Sequence, residues 1–219
     1  MSDAADFLYP FIEGDERDVG TLLVDLSRSA EAKVTASAEL RRTTLDNSTD
    51  VIERAATAMT DRFAMGGRLF VFGNGGSSTD AASLASLFVR PPWGQPLPAR
   101  NLVDDSAVLT ALGNDVGFEL VFSRQLIAHA GALDIAVGLS TSGNSRNLLQ
   151  CFAEAAGRGL LTIGLAGYNG GEMATSPHVQ HCLVVDADSV HRIQETQAAL
   201  GFALWRAVQS GLANRETAS

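Results

Sequence analysis

The sequence predicts an α/β fold in which helices cover both faces of a mostly parallel sheet. From residue 68 onward, short apolar segments of strand length alternate with segments that carry apolar residues at helical spacing. Strands that are apolar throughout are typical of parallel sheets, because both of their faces are buried. The 219 residues, 46% of them hydrophobic and 19% charged, are also sufficient to build the core of one ordinary domain.

The N-terminal part of the chain, residues 16–66, is predicted to be mostly helical. Its apolar residues recur at helical spacing, and Ser48 or Thr49 is a candidate N-cap of a second helix that ends at Gly66 and Gly67. Short apolar runs bounded by turn-forming or polar residues then predict five strands, at residues 68–73, 97–104, 134–140, 160–167 and 181–186. The intervening segments predict helices at residues 78–89, 107–130 with a break at Gly113, 145–157 and 190–212.

Charge and cysteine content argue against several classes of function. A net charge of −9 disfavours direct binding to nucleic acid or to an anionic membrane. Cys151 and Cys182 form no disulfide framework, which is typical of reduced cysteines in the cytoplasm. The first 18 residues lack the regions of a signal peptide, and no uncharged apolar stretch of about 18 residues occurs. We therefore predict a cytoplasmic protein with no nucleic-acid or membrane partner.

Two loops that follow predicted strands carry the residues of a phosphate site. In the first, the glycine loop (residues 73–77, "GNGGS"), the glycines permit close approach of the backbone and Ser77 adds a hydroxyl. The second, the serine loop (residues 140–145, "STSGNS"), supplies four hydroxyls. Hydroxyls and helix N–H groups together hold a phosphate dianion without lysine. The alternative is that Ser77 and Ser145 are ordinary N-caps; neither loop matches a dinucleotide or nucleoside-triphosphate motif.

The motifs of the chain resemble those of a known family. "GNGGSSTDAASLAS", "LTALGNDVGFELVFSRQ", "STSGNSRNLL" and "RIQETQ" occur in the order of the SIS (sugar isomerase) phosphosugar-binding domain, as in its branch of sedoheptulose-7-phosphate (phosphoheptose) isomerases. The similarity extends over residues 20–212. It implies a flavodoxin-like, three-layer α/β/α sandwich with a five-stranded parallel sheet. It also implies a homotetramer with sites at subunit contacts, in which the N-terminal helices serve assembly.

The resemblance also implies a set of ligand-binding residues. Asn74, Gly75 and Gly76 match the substrate loop, with Ser77 beside them, and Asn114 and Asp115 match a "GND" pair that approaches the sugar. The phosphate-binding hydroxyls correspond to Ser140, Thr141, Ser142 and Ser145. Gln194 matches a glutamine that faces the reacting end of the sugar. The expected ligand is therefore a small sugar phosphate.

The chain departs from this family at the positions that bind zinc. The isomerases carry a histidine and, four residues later, a glutamate on the helix after "GNGGS", and these residues are Ser83 and Leu87 here. A histidine of the final helix is replaced by Phe202, so only Gln194 remains of the four expected positions. Zinc requires about four nitrogen, sulfur or carboxylate ligands. We therefore expect neither a metal nor another cofactor.

Proton transfer between C1 and C2 of a sugar phosphate requires a base near those carbons. The candidate catalytic residues are His191 and Glu195, followed by Asp115 and Asp80. Each has a structural alternative: His191 as an exposed histidine that opens the last helix, Glu195 as a structural residue, and Asp80 as a charge that favours the helix dipole. His178 and His181 lie beside Cys182, but without a fourth ligand they predict no metal site.

These observations predict three segments and leave two functions open. Residues 1–66 form the N-terminal helices for oligomerisation, residues 67–212 the SIS phosphosugar-binding domain, and residues 213–219 a flexible tail. The first function is an aldose–ketose sugar-phosphate isomerase that works without zinc or on a divergent substrate. The alternative is a non-catalytic phosphosugar sensor or assembly factor, like the SIS proteins that bind the bacterial replication initiator.

Overall fold

The computed structural model describes residues 19–218 and begins with a long helix, α1 (Val19–Ala64). The predicted N-cap at Ser48 or Thr49 is wrong, because α1 continues through both residues. The Thr49 hydroxyl instead donates to the carbonyl oxygens of Leu45 (3.2 Å) and Asp46 (3.0 Å), within the same helix. The described chain divides between Glu39 and Leu40 into two compact units. The first 18 residues, for which the sequence predicts no signal peptide, lie outside the described residues.

Five strands form one parallel sheet, which confirms the predicted fold class. They are β1 (Leu69–Gly73), β2 (Ala99–Asn101), β3 (Ile135–Ser140), β4 (Leu161–Gly167) and β5 (His181–Val185). Their order across the sheet is β2-β1-β3-β4-β5. Parallel pairing between the neighbours β1 and β3 sets Gly73 opposite Leu139. The glycine loop and the serine loop therefore leave the sheet side by side.

The helices that follow α1 connect successive strands, except for the last, which follows β5. They are α2 (Gly76–Val89), α3 (Ser106–Asp115), α4 (Val121–His129), α5 (Arg146–Gly157), α6 (Gly171–Thr175) and α7 (Val190–Ala218), with a 3₁₀ turn at Phe118–Leu120. The break predicted at Gly113 is wrong, since Gly113 lies inside α3. The chain breaks at Gly117 instead, whose φ of 113° is one that L side chains rarely adopt. The last helix passes residue 212 and continues to Ala218.

Two apolar layers bury the faces of the sheet. On one face, Leu69, Val71 and Leu139 pack with residues of α2, α7 and the C-terminal part of α1. On the other face, Phe70 and Phe72 pack with residues of α4 and α5. Odd and even positions of β1 thus face different helices, as the alternation of a strand requires. Within the described residues, no helix combines the length and the apolar character needed to cross a membrane.

Candidate functional site

The serine loop gathers three hydroxyls at the start of α5. Ser140 Oγ lies 3.1 Å from Ser145 Oγ and 3.4 Å from Ser142 Oγ, and it accepts a hydrogen bond from Gly143 N (3.1 Å). Ser145 occupies the N-cap position of α5, but among the described residues its side chain makes no capping hydrogen bond. Its hydroxyl points into the loop instead. Hydroxyls and the first N–H groups of a helix are together suited to an anion.

A third loop, which follows β4 and was not predicted from the sequence, packs against the serine loop. Gly143 has a φ of 66°, and a Cβ on it would overlap the carbonyl oxygen of Gly170. Met173 N donates to the carbonyl oxygen of Gly143 (2.9 Å), and Glu172 N donates to Asn144 Oδ1 (2.8 Å). The chain after β4 therefore fixes the conformation of the serine loop. The adjacent glycines of "YNGGEM" were the signal available in the sequence.

The glycine loop brings Gly76 against Gln194, two residues that the resemblance assigned to the ligand. A Cβ on Gly76 would overlap Gln194 Nε2, so glycine at this position leaves room for the amide. Gly75 takes a φ of 55° at the N-cap position of α2. Ser77 therefore lies inside α2. The alternative interpretation, in which Ser77 is the N-cap, is wrong. Ser77 is 4% exposed, and its N–H donates to the carbonyl oxygen of Asn74 (3.0 Å).

The Asn74 side chain is fixed by Asn147, a residue that the sequence analysis did not single out. Asn74 Nδ2 donates to Asn147 Oδ1, and Asn147 Nδ2 donates to Asn74 Oδ1, both at 2.9 Å. Asn147 lies in the first turn of α5 and is 3% exposed. This reciprocal amide pair joins the glycine loop to the helix that follows the serine loop. The two predicted loops are therefore linked through this pair of side chains.

The remaining predicted site residues lie outside the two loops, except for Thr141. Asn114 Nδ2 donates to Asp115 Oδ1 (2.7 Å) at the exposed end of α3, and within residues 19–218 no hydrogen bond links this pair to either loop. Thr141 is half-buried in the serine loop. His191 and Glu195 are exposed in the first turns of α7. His191 precedes Gln194 by three residues and therefore lies on the same side of the helix.

The positions that would correspond to the zinc site line a cavity between α2 and α7. Ser83, Leu87 and Phe202 contribute to it together with Asp80 and Gln197, at a volume of about 270 Å³. A hydroxyl, two hydrocarbon side chains, an amide and one carboxylate do not form a zinc-binding set. In the part of the chain that the structure describes, no three His, Cys, Asp or Glu residues cluster as metal ligands. The residues present therefore do not fit the family's metal.

Burial shifts the pKa of one carboxyl that lines this cavity and of two side chains at the start of β5. Burial raises the pKa of the Asp80 carboxyl, and Asp80 Oδ2 has no hydrogen-bond partner among the described residues. Burial, and then the charge of Arg54, lower the pKa of His181, while burial raises the pKa of Cys182 to about 11. Both side chains are half-buried at the start of β5, and burial favours their neutral forms.

Comparisons with known proteins agree with this architecture. The SIS domain model matches residues 34–167. A phosphoheptose isomerase from Solidesulfovibrio magneticus is 44% identical over 165 residues, which are 73% of this chain and 78% of that relative. One from Aquifex aeolicus is 39% identical over 168 residues, 76% of this chain and 85% of the relative. A solved phosphoheptose isomerase from Neisseria gonorrhoeae has a TM-score of 0.78 at 32% identity and covers 84% of this chain and 99% of its own. This chain therefore belongs to the SIS domain family, as a phosphosugar protein similar to phosphoheptose isomerases.

Proposed function

We propose that this protein binds a sugar phosphate whose phosphate group sits in the serine loop. The observation that carries the proposal is the cluster of Ser140, Ser142 and Ser145 hydroxyls within 3.4 Å of Ser140 Oγ at the start of α5. A dianion there accepts hydrogen bonds from these hydroxyls and from the N–H groups of the first helical turn. The glycine loop and Gln194 border the same edge of the sheet and contact the sugar.

We further propose that the protein does not use the metal-dependent chemistry of its relatives. Ser83, Leu87 and Phe202 supply no metal ligands of the required kind. His191 and Glu195 are exposed, outside the cavity that lies between α2 and α7. The proposed role is therefore binding of a phosphosugar by a sensor or assembly factor. A second candidate function, metal-free aldose–ketose isomerisation with His191 or Glu195 as the base, is favoured by the 44% identity to a phosphoheptose isomerase.

Calorimetry with sedoheptulose 7-phosphate and with inorganic phosphate tests the binding proposal. We expect both to bind competitively, and the Ser142→Ala/Ser145→Ala double variant to lose about a hundredfold or more in affinity, since each of the two charge-assisted hydrogen bonds contributes roughly 1.5–3 kcal/mol. Ser210→Ala removes a hydroxyl from the far part of α7 and is the matched control. Binding of neither compound at millimolar concentration, or unchanged affinity in the double variant, contradicts the proposal.

Proton exchange separates the two functions. Sedoheptulose 7-phosphate incubated with the protein in D2O is followed by NMR at C1 and C2, with and without added zinc. Our proposal expects no exchange above the protein-free rate in either sample. Exchange that disappears in His191→Ala or Glu195→Ala supports the metal-free isomerase instead.

The N-terminal segment is proposed to mediate assembly into a homotetramer in the cytoplasm. Leu23, Val24, Leu26 and Val34 are 61%, 56%, 40% and 67% exposed on α1, and apolar residues grouped in this way are typical of subunit contacts. Light scattering should report a tetramer for the native chain and a smaller species for Leu23→Glu/Val34→Glu. A monomeric native protein contradicts the proposal.

A further inference from the structure

The cavity between α2 and α7, here called the α2–α7 cavity, differs in character from the two loops. Most of its wall is hydrocarbon, from Leu84 and Leu87 on α2, Leu139 on β3, and Ala198 and Phe202 on α7. Leu139 immediately precedes Ser140, and Gln197, which also lines the cavity, donates from Nε2 to the carbonyl oxygen of Ser140 (3.2 Å). The cavity thus directly adjoins the proposed phosphate site.

Two hydrogen-bond acceptors of this cavity have no donor. Gln197 is fully buried, and its Nε2 donates to the carbonyl oxygens of Ser140 and Leu165 (3.0 Å). These two carbonyls fix the orientation of the amide, because a flipped amide would set oxygen against oxygen. Gln197 Oε1 takes no part in these bonds, and like Asp80 Oδ2 it is buried with no partner among the described residues. Buried acceptors of this kind are costly unless a water molecule or a ligand supplies the donor.

The cavity offers no donor of its own within the described chain. The Ser83 hydroxyl donates to the carbonyl oxygen of Thr79 (3.0 Å), and no lysine, arginine or histidine of residues 19–218 lines the wall. A second phosphate is excluded by the Asp80 carboxylate. A ligand hydroxyl satisfies one acceptor but brings lone pairs of its own that find no donor. An ammonium group is donor-only and also compensates the carboxylate charge.

The aromatic ring at the cavity favours the same chemistry. Phe202 is 43% exposed, and its ring lies 5.1 Å from that of Trp205, which holds it in place. The face of such a ring attracts a cation. Burial raises the pKa of the Asp80 carboxyl, which is the response of a carboxylate that lacks a neighbouring cation, and a bound ammonium group would counter it.

We propose that the α2–α7 cavity binds an ammonium group between Asp80 and Gln197, with the attached carbons against Leu87 and Phe202. The assignment of a ligand class rests on the proposed function: with a phosphate group in the serine loop, the ligand is an amino sugar phosphate. The cavity then recognises a cation at the place where related enzymes would bind metal.

Two matched pairs of probes test the proposal by calorimetry on the full chain. Cyclohexylammonium against cyclohexanol tests the amine site without a phosphate, and glucosamine 6-phosphate against glucose 6-phosphate tests the ligand class. We expect the amine to bind about tenfold or more tightly in each pair, the value that corresponds to one charged pair of roughly 1.4 kcal/mol. Asp80→Asn should reduce each preference to about threefold or less. Asp50→Asn, which removes the same charge from an exposed position on α1, should leave the preferences unchanged.

The outcomes separate this proposal from the proposed function. If neither phosphate ester binds but cyclohexylammonium binds through Asp80, the phosphosugar function fails and the amine site stands. If glucosamine 6-phosphate binds no better than glucose 6-phosphate, the ligand class is overturned. Equal binding of cyclohexylammonium and cyclohexanol, or an amine preference that survives Asp80→Asn, overturns the amine site. So does proton exchange in sedoheptulose 7-phosphate that Asp80→Asn abolishes, because Asp80 would then act as a base.

Discussion

The reciprocal amide pair of Asn74 and Asn147 makes a stability prediction that the structure defines closely. Asn147→Leu keeps the approximate volume of the side chain and removes both hydrogen bonds, each 2.9 Å long. Asn147 is 3% exposed and Asn74 is half-buried. The substitution therefore leaves the Asn74 amide without these two bonds in a place that water reaches only in part.

The expected loss follows from the energetics of buried hydrogen bonds. Each bond contributes about 0.5–1.5 kcal/mol net, and a partly buried amide left without a partner costs about 1–3 kcal/mol. We take about 2–3 kcal/mol as the decrease in the free energy of unfolding, because water reaches one side of Asn74. For a chain of this length that decrease lowers Tm by roughly 4–12 °C. Affinity for inorganic phosphate should fall as well, since the glycine loop loses its link to α5.

Urea unfolding followed by tryptophan fluorescence, at one fixed protein concentration, measures the effect. Asn214→Leu substitutes an exposed asparagine of α7 and should change the free energy of unfolding by no more than about 0.5 kcal/mol. A double-mutant cycle with Asn74→Ala should give a coupling of about 1 kcal/mol or more. If Asn147→Leu is as stable as Asn214→Leu, or the coupling is close to zero, the amide pair does not hold the two loops together.

Further predictions concern the serine loop, a buried carboxylate and a thiol. Gly143→Ala should destabilise the fold by about 2 kcal/mol or more in the same urea assay, because of its φ of 66° and the overlap with Gly170; Gly113→Ala, in open space inside α3, should stabilise it by about 0.4–1 kcal/mol. Asp134→Ala should lower the free energy of unfolding by roughly 3 kcal/mol. The carboxylate accepts hydrogen bonds from Arg68 N (2.7 Å), Arg68 Nη2 (2.9 Å) and Gly131 N (2.8 Å). A decrease of less than about 1 kcal/mol contradicts this prediction. Since burial raises the pKa of Cys182 to about 11, only about 1% of this thiol is ionised at pH 9. Its alkylation by iodoacetamide should therefore accelerate near pH 11 in the native protein and near pH 9 in urea, and equal profiles contradict the prediction.

Local sequence patterns were sufficient to predict the sheet. The three central strands β1, β3 and β4 are buried apolar runs, and residues such as Leu69 and Val71 are fully buried because helices cover both faces of a parallel sheet. The edge strand β2 is only Ala99–Asn101, shorter than the predicted 97–104, because its arginine is exposed at the edge of the sheet. The local pattern gave a wrong helix boundary where the same residues are compatible both with an N-cap and with the interior of a helix. Ser48 and Thr49 can cap a helix, yet a neighbouring helical segment on each side continued through them, since a helix that is already formed extends at less cost than a new one begins.

The sequence predicted the residue types of the site better than their partners. Asn147 pairs with Asn74 across 73 positions, and Gln197 reaches the Ser140 carbonyl across 57. Contacts between residues so far apart in the chain produce no periodic pattern in a single sequence. They depend on the register of β1 against β3 and on the position of α7 against the sheet. Glycines at 143 and 170 are visible as glycines, but their mutual contact exists only after β4 is placed beside β3.

The two parts of the proposed site meet at one edge of the sheet but are supported by helices on opposite faces, so the ligand-binding side chains of one part can change with little effect on the other. The serine loop leads into α5, which packs through Phe152 on one face, whereas Leu84 of α2 and Leu204 of α7 pack on the other. Substitutions at the α2–α7 cavity therefore need not disturb the hydroxyl cluster. Leu87 packs against the apolar layer on its own face, so hydrocarbon at that position also adds buried area between α2 and α7. On the proposed function, a chain without metal ligands in this cavity still has the hydroxyl cluster for a phosphate group, and the substitutions alter only the group recognised at the other end of the ligand.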